Sequence, residues 1–174
     1  DAAEIINGEK VPSIHKLLEM VDFKWLSDGR QCQIHGDLVL DNIIKTKSGY
    51  KLLDWRQNFG GLLKSGDLYY DLAKLNHNLI INHSIVNKNL FTFEKNGSFI
   101  SVDILRSDNL VACQHLLHNF IENEKLDKKK VEVLTAIIWL NMSPLHPIPL
   151  NFNLFLYYFG KLNLYNRFAK TPLF

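Results

Sequence analysis

The sequence has few cysteines and no closely spaced pair of them. Cys32 and Cys113 are the only two among 174 residues, which excludes a CxxC metal motif and a disulfide-rich scaffold. Each lies among apolar residues, so we expect both to be small buried side chains with free thiols in a reducing compartment.

Long apolar runs and a strong charge bias are also lacking. The longest apolar stretches, 136–140 and 152–160, are much shorter than the roughly 20 residues that cross a bilayer. Lys and Arg total 20 against 18 Asp and Glu, which is no signature of nucleic-acid binding. The basic run at 128–130 follows Asp127 and is expected on an exposed first helical turn. These absences predict a cytoplasmic protein with no membrane span and no nucleic-acid partner.

The sequence does contain enough apolar material for one folded unit. Hydrophobic residues make up 47% of it and aromatic residues 11%, which excludes a disordered chain. A length of 174 residues suits one domain or one large lobe.

Hydrophobic periodicity predicts mostly helices, joined by two short hairpins. Apolar residues recur at steps of three and four in the segments 14–25, 67–79, 110–120, 131–138 and 152–168. Gly49 and the pair Asn96-Gly97 lie between β-prone runs and predict hairpins at 43–53 and 91–102. No alternation of strands and helices suggests a Rossmann-type sheet. The predicted fold class is therefore mainly α with short β-hairpins (α+β).

Two carboxylates and one amide are spaced as phosphoryl transfer requires. Asp37 belongs to the segment HGDLVLDN, Asn42 follows five residues later, and Asp54 ends the first hairpin. A tight hairpin returns its second end towards its first, so Asp54 is expected near Asn42. Transfer from ATP needs a carboxylate that orients the acceptor hydroxyl and oxygen ligands for Mg²⁺. These three side chains can provide both.

The order H-G-D-x-x-x-x-N, hairpin, apolar-Asp-Trp resembles the aminoglycoside phosphotransferase and choline kinase group, relatives of the protein kinases. The segment GDLYYDLA at 66–73 is similar to the Gly-Asp-x-x-x-Asp-Leu-Ala segment that follows in that group, and the matched region runs from Ile34 to Leu75. The resemblance implies the C-terminal lobe of a protein-kinase-like fold. That lobe would have a catalytic loop at 34–42, a hairpin with the metal-binding Asp at 43–55, a bracing helix at 66–81 and a helical remainder at 107–170.

The resemblance also implies roles for particular residues. Asp37 would be the catalytic base, and Asn42 and Asp54 would hold Mg²⁺. His35 and Gly36 would shape the loop. Asp71 would hydrogen-bond the loop backbone as a structural brace. Arg56 stands where many relatives have an acid, and it receives no catalytic role.

The implied activity is transfer of the γ-phosphate of ATP, with Mg²⁺, to a hydroxyl of a small molecule such as a sugar, an aminoglycoside, or choline or another amino alcohol. The group also needs an N-terminal β lobe that grips the nucleotide. Residues 1–34 are predicted to contain one helix, with Lys10 in a loop, and cannot supply it. We therefore expect the nucleotide lobe to lie upstream or on another chain.

Two other functions compete with this one. The chain could be a catalytically inactive kinase-like binding or regulatory module, although the intact Asp37, Asn42 and Asp54 argue against it. A metallophosphoesterase is a distant third, because Gly36-Asp37 resembles a metal-bridging Gly-Asp motif, but the accompanying Asp-x-His and Gly-Asn-His motifs are missing.

Two groups of residues are predicted to be structural. His115 and His118 are expected on a helix surface. An aromatic stripe is expected to belong to the core, and its members are Phe152, Phe155, Tyr158 and Phe159.

Overall fold

The computed structural model describes residues 3–146, 149 and 151–169. It is a mixed fold with 51% helix, 20% strand and small sheets, compatible with the predicted α+β class. The end of the predicted helical remainder, residue 170, lies outside the described residues.

The described residues contain seven α-helices. Most of these helices begin next to a residue whose side chain caps the first turn. The Asp67 carboxylate accepts the Tyr69 N–H and the Asp127 carboxylate accepts the Lys130 N–H, which satisfies amide groups that a helix start leaves unpaired. The helices are α1 (Ile14–Glu19), α2 (Phe23–Ser27), α3 (Leu68–Ile80), α4 (His83–Asn87), α5 (Asp108–Asn123), α6 (Lys128–Met142) and α7 (Phe152–Ala169).

Eight strands form one four-stranded and two two-stranded sheets within the described residues. Both predicted hairpins are present, β4 with β5 and β7 with β8. The four-stranded sheet has the order β2-β1-β8-β7, in which β1 and β8 are parallel. The strands are β1 (Glu4–Ile6), β2 (Glu9–Val11), β3 (Gln31–Cys32), β4 (Ile43–Thr46), β5 (Gly49–Leu52), β6 (Gly66–Asp67), β7 (Phe91–Asn96) and β8 (Phe99–Ile104).

The prediction for residues 1–34 was wrong in two respects. Lys10 lies in strand β2 and not in a loop, and the segment contains a hairpin and two short helices in place of one helix. The hairpin turns at Asn7-Gly8, where both residues have positive φ (49° and 84°), as a two-residue type I′ turn requires. Strands of three residues are too short to show alternation, so Asn7-Gly8 is the local signal for this hairpin, and only its pairing with β8 depends on a distant segment.

The main core lies between the four-stranded sheet and helices α1, α6 and α7. Helix α7 packs on α6, β7 and β8. Phe152, Phe155 and Tyr158 of the predicted aromatic stripe are buried, and Phe159 packs against the same core, so this prediction is confirmed. A second cluster joins α3, α5 and α6.

Two expectations about surface and core were wrong. Lys130 is buried, its ammonium group donates to the Asp28 carbonyl, and it lies 4.8 Å from the centroid of the Tyr69 ring. A long aliphatic stem allows such burial when the charge finds a carbonyl and aromatic faces. Cys113 is exposed, because α5 turns Leu117 and other residues inward. Cys32, also expected to be buried, is half-buried, and both cysteines are free thiols.

A buried charge ties α7 to the first strand. The Lys161 ammonium donates to Glu4 Oε2 at 3.0 Å, and the Tyr158 hydroxyl donates to Glu4 Oε1 at 3.0 Å. Burial raises the pKa of Glu4, but the hydrogen bonds from Lys161 and Tyr158 outweigh it and leave that pKa below its ordinary value. The carboxylate therefore stays charged where its partners need it.

None of the helices in the described ranges is long and apolar enough to cross a membrane. This agrees with the shortness of the apolar runs in the sequence.

The contact between α6 and α7 gives a test of the packing. A Cβ at Gly160 would lie 3.1 Å from the Ala136 carbonyl oxygen and 3.1 Å from Leu140 Cγ. We expect Gly160→Val to lower the free energy of unfolding by about 1–3 kcal/mol, because its extra methyl groups overpack this contact. Chemical denaturation measures the change.

The matched control is Ala112→Val, at an exposed position of α5. It carries only the difference in helix propensity, at most about 0.7 kcal/mol. Equal losses in the two variants would contradict the close approach of α6 and α7.

Candidate functional site

The loop between β3 and β4 is fixed by one buried carboxylate. Asp71 of α3 accepts the His35 N–H at 2.6 Å and the Gly36 N–H at 2.8 Å, one on each oxygen. The Asp71 side chain is 7% exposed. Because buried amide groups are costly without an acceptor, these bonds fix the loop backbone against the helix. This is the geometry expected of Asp71 as a brace.

His35 joins the loop to the end of the β4–β5 hairpin. Its Nε2 lies 2.6 Å from the Leu53 carbonyl oxygen, and its Nδ1 lies 3.3 Å from the Asp37 nitrogen. The first contact needs a proton on Nε2 and the second needs a free lone pair on Nδ1, so both specify the same tautomer. The His35 ring also packs at 4.9 Å on the ring of Trp55. His35 is thus a buried linker, as expected of a loop-shaping residue.

Gly36 is required by both conformation and space. Its φ is +78°, and a Cβ there would lie 2.5 Å from the Cβ of Arg56. A side chain would be strained by this backbone conformation and would also collide with Arg56. The Arg56 N–H donates to the His35 carbonyl at 2.9 Å, so the chain after the hairpin packs directly on the loop.

Asp37 lies between two cations. Lys74 Nζ is 2.8 Å from Asp37 Oδ1, and Arg56 Nη2 is 3.8 Å from Oδ2. Partial burial raises the pKa of the Asp37 carboxyl, but the hydrogen bond and charge of Lys74 and the charge of Arg56 outweigh it. The pKa of Asp37 is therefore below its ordinary value, and the group is ionised at neutral pH.

Asn42 and Asp54 lie next to each other along the hairpin but face different surroundings. The Asn42 amide NH₂ donates to the Asp37 carbonyl at 3.0 Å, which leaves its oxygen available. The Leu53 N–H donates to the Asn42 carbonyl, so the neighbouring Asp54 is close to Asn42 in the backbone pairing. Asp54 has φ +55° and is exposed. Among the described residues no hydrogen bond or ion pair joins Asp54 to Asp37.

The donor chemistry of this pair fits Mg²⁺. The amide oxygen of Asn42 and the carboxylate of Asp54 have no protein partner in the described ranges, and both are hard ligands. Mg²⁺ takes its remaining ligands from water and phosphate. The described residues contain no group of three His, Cys, Asp or Glu side chains suited to a metal. By the chemistry of their oxygen atoms, Asn42 and Asp54 are the side chains that would hold such an ion.

A cavity of about 840 Å³ opens beside Asp37. The loop and α3 form one wall, and residues of α4, α6 and the start of α7 form the others. The lining residues include Asp37, Arg56, Lys74, Asn78, Ile137 and Phe152. The volume is that of a small-molecule site, so the carboxylate of the loop can meet a ligand that this space holds.

Three features of the site were not predicted from the sequence, namely Lys74, Asn78 and the contact made by Arg56. Asn78 Oδ1 accepts the Leu40 N–H at 2.9 Å and so fixes the far end of the loop. Asp71, Lys74 and Asn78 follow each other at steps of three and four on α3, which places them on one face of the helix. Once Asp71 is expected to face the loop, this spacing predicts the other two.

The arrangement can orient a hydroxyl group at Asp37 and place positive charge close to it.

No family model, no curated protein and no solved structure matches this chain.

Replacing Asp71 tests the brace. Asn at this position keeps one acceptor oxygen but sets an NH₂ group against one of the two backbone N–H donors. We expect Asp71→Asn to lower the free energy of unfolding by about 1–3 kcal/mol, because a buried donor is left unpaired. Thermal and chemical denaturation measure the loss.

Asp54→Asn is the matched control, because it makes the same chemical change at an exposed carboxyl group. We expect it to alter the stability by no more than about 0.5 kcal/mol. A wild-type stability for Asp71→Asn would show that the loop does not depend on this carboxylate.

Replacing Lys74 tests the charge balance at Asp37. In Lys74→Met we expect the pKa of Asp37 to rise, because the hydrogen bond and the charge of Lys74, which oppose burial most strongly, are removed. Carboxyl-carbon NMR titration measures the pKa, with Lys45→Met on the exposed side of β4 as control. An unchanged pKa of Asp37 would contradict the ion pair.

The same variant has a pH-dependent effect on stability. The pKa of Asp37 is lower in the folded protein than in the unfolded chain, so the unfolded chain takes up this proton first as the pH falls. The stabilisation is complete above the unfolded pKa and is lost as the pH falls through the folded one. We expect this acid-dependent loss to disappear in Lys74→Met.

Proposed function

We propose that this chain is the catalytic, acceptor-binding lobe of an ATP-dependent phosphotransferase that acts on a hydroxyl group of a small molecule. The observation that carries the proposal is an ionised carboxylate, Asp37, in the wall of a cavity of about 840 Å³, on a loop fixed by Asp71. A carboxylate held in this way is what such a transfer needs to orient its nucleophile.

Asp37 accepts a hydrogen bond from the acceptor hydroxyl. As the hydroxyl oxygen forms its bond to the γ-phosphorus, the bond from that phosphorus to the β–γ bridging oxygen breaks. The hydroxyl proton passes to Asp37, and ADP leaves. The lowered pKa of Asp37 keeps the group ionised before the step, so no pH change is needed to prepare it.

Lys74 and Arg56 lie where negative charge gathers during the transfer. Both are within 4 Å of Asp37, and the transferred phosphoryl group must come close to the hydroxyl that Asp37 holds. Their charges offset that of the carboxylate and of the phosphoryl oxygens. Arg56 is the more exposed cation, which leaves it free to turn towards a ligand.

Asn42 and Asp54 would hold Mg²⁺ through the amide oxygen and the carboxylate. When bound, the ion would neutralise charge on the phosphates of ATP. The Asn42 NH₂ group donates to the Asp37 carbonyl oxygen, and this bond fixes the position of Asn42 relative to the backbone of Asp37.

The proposal includes a nucleotide-binding lobe outside these residues, either upstream or on another chain. Before His35, the described residues form a hairpin of two three-residue strands, then two short helices, and then the short strand β3. The turn of this hairpin has only two residues, Asn7 and Gly8, and the hairpin pairs with β8 in the core sheet. It has no long glycine-rich loop that could cover phosphates. Because ATP and Mg²⁺ are the co-reactants, we place the protein in the cytoplasm.

A second candidate is an inactive kinase-like module that binds a small molecule. The observation in its favour is the ion pair of Asp37 with Lys74 at 2.8 Å, because a carboxylate occupied by a lysine is a poorer base. A metallophosphoesterase has less support, since the described residues offer no group of three metal-binding side chains.

Asp37→Asn separates catalysis from binding. In the complete protein in which this sequence occurs, with ATP and Mg²⁺, we expect the substitution to lower kcat by about 10²- to 10⁴-fold, because it removes the base. The change is isosteric, so the fold should persist, but loss of the ion pair with Lys74 is expected to lower the free energy of unfolding, and kcat is therefore measured well below the melting temperature. Phosphate transfer to a panel of hydroxyl compounds measures kcat.

Asp103→Asn, at an exposed position of β8, is the control for the chemical change. Phosphate transfer that persists at the wild-type rate in Asp37→Asn would exclude Asp37 as the base. No transfer by the wild-type protein to any hydroxyl compound would favour the inactive module.

A further inference from the structure

The cavity beside Asp37 has two cationic side chains and one carboxylate in its lining. Lys74 and Arg56 bring two cationic donors into its lining. The Lys74 side chain is only 14% exposed, so its charge acts at short range with little screening by solvent. A ligand in this space therefore meets positive charge on the side of the loop.

His77 contributes a further donor, and a neighbour fixes which nitrogen carries its proton. The Trp139 Nε1–H donates to His77 Nδ1 at 2.8 Å, so the proton of the neutral ring is on Nε2. Burial lowers the pKa of His77 most, and the charge of Lys74 lowers it further, so that the pKa is about 3. The ring is neutral at physiological pH, and His77 lines the cavity with an Nε2–H group as its remaining polar function.

Two asparagines in the lining have already used their oxygen atoms. Asn78 Oδ1 accepts the Leu40 N–H at 2.9 Å, and Asn82 Oδ1 accepts the Ile85 N–H at 3.0 Å. Each amide is left with its NH₂ group, for which the described residues provide no acceptor. Asn78 is 3% exposed, so its NH₂ group gains little from solvent and favours an acceptor on a ligand.

Asp37 is the only carboxylate among the described residues that line the cavity. It is already paired with Lys74 and Arg56. The nearby Asp41 has its Oδ2 3.1 Å from His83 Nδ1 and does not line the cavity. A cationic ligand would therefore find no free negative charge here and would be repelled by the two cations.

We infer that the acceptor is a hydroxylated anion of the sugar-acid or sugar-phosphate type, and not a cationic amino alcohol or aminoglycoside. The inference rests on the proposed function. One hydroxyl of the acceptor donates to Asp37, while its carboxylate or phosphate oxygens accept from Lys74, Arg56 and the amide donors. The apolar wall with Ile81, Ile137 and Phe152 packs against the carbon skeleton.

The cationic lining predicts an order among four sugars that share the glucose ring, and choline is added as a cationic acceptor without a ring. We compare glucuronate, glucose 6-phosphate, glucose, glucosamine and choline as acceptors for the complete protein with ATP and Mg²⁺. We expect kcat/KM to be at least about tenfold higher for one of the two anions than for glucose, because a hydrogen bond to a charged group gains this much. Glucosamine and choline should be poorer than glucose.

The two anions distinguish the source of the negative charge. Preference for glucuronate identifies a carboxylate site, and preference for glucose 6-phosphate identifies a phosphate site. Transfer to glucosamine or choline at least as efficient as to either anion would overturn the inference and leave the proposed function standing. Equal use of glucose and the anions would overturn it too, and would assign the cations to the transferred phosphoryl group alone.

Asn82→Asp reverses the polarity of one donor without loss of the helix cap. Asp is as good an N-cap as Asn, so α4 should remain intact, while the NH₂ donor is replaced by a negative acceptor. We expect the ratio of anion to glucosamine binding to fall by at least about tenfold. Ser107→Asp, at the exposed N-cap of α5, is the control for an added charge elsewhere, and an unchanged ratio in Asn82→Asp would contradict the inference.

Binding is measured by calorimetry as well as by turnover, so that the two proposals fail separately. Tighter binding of glucuronate or glucose 6-phosphate than of glucosamine supports the anionic site even where no phosphate is transferred, which would refute only the enzyme. Tighter binding of glucosamine refutes the anionic site whatever the turnover.

Discussion

The two oxygens of the Asp71 carboxylate hold the backbone of His35 and Gly36 against α3. The segment from His35 to Val39 has no regular secondary structure to pair these amide groups, and leaving them unpaired in the interior would cost a few kcal/mol. The loop therefore has one favourable position on the helix. Asp37 follows at once, and its carboxylate reaches the ammonium group of Lys74, one turn further along the same helix.

Helix α3 contacts the loop with one face and packs into the core with the other. One face presents Asp71, Lys74 and Asn78, which fix the loop at its start, at its carboxylate and at its far end. The other face packs into the core, where the Asn76 NH₂ group donates to the Thr135 hydroxyl of α6. Rigid packing on one side thus sets the position of the loop on the other.

The site combines one carboxylate, Asp37, with two cations, Lys74 and Arg56, and this balance of charge affects both stability and ligand binding. Lys74 keeps Asp37 ionised despite its partial burial, which also gives the cavity a net positive character. The neutral His77, with its proton on Nε2 because Trp139 occupies Nδ1, adds a donor that does not depend on pH in the physiological range. The same side chains that support the carboxylate therefore disfavour a cationic ligand.

The sequence alone determined the four longer helices, α3, α5, α6 and α7, and both longer hairpins, because their caps, Asn-Gly turn and apolar periodicity act over a few residues. It also determined the order of Asp37, Asn42, Asp54 and Asp71 along the chain. Only the tertiary structure decided that the hairpin at 4–11 pairs with β8 and that Lys74 pairs with Asp37. Those contacts join segments far apart in the chain, and no local propensity encodes which partner a short strand or a lysine will meet.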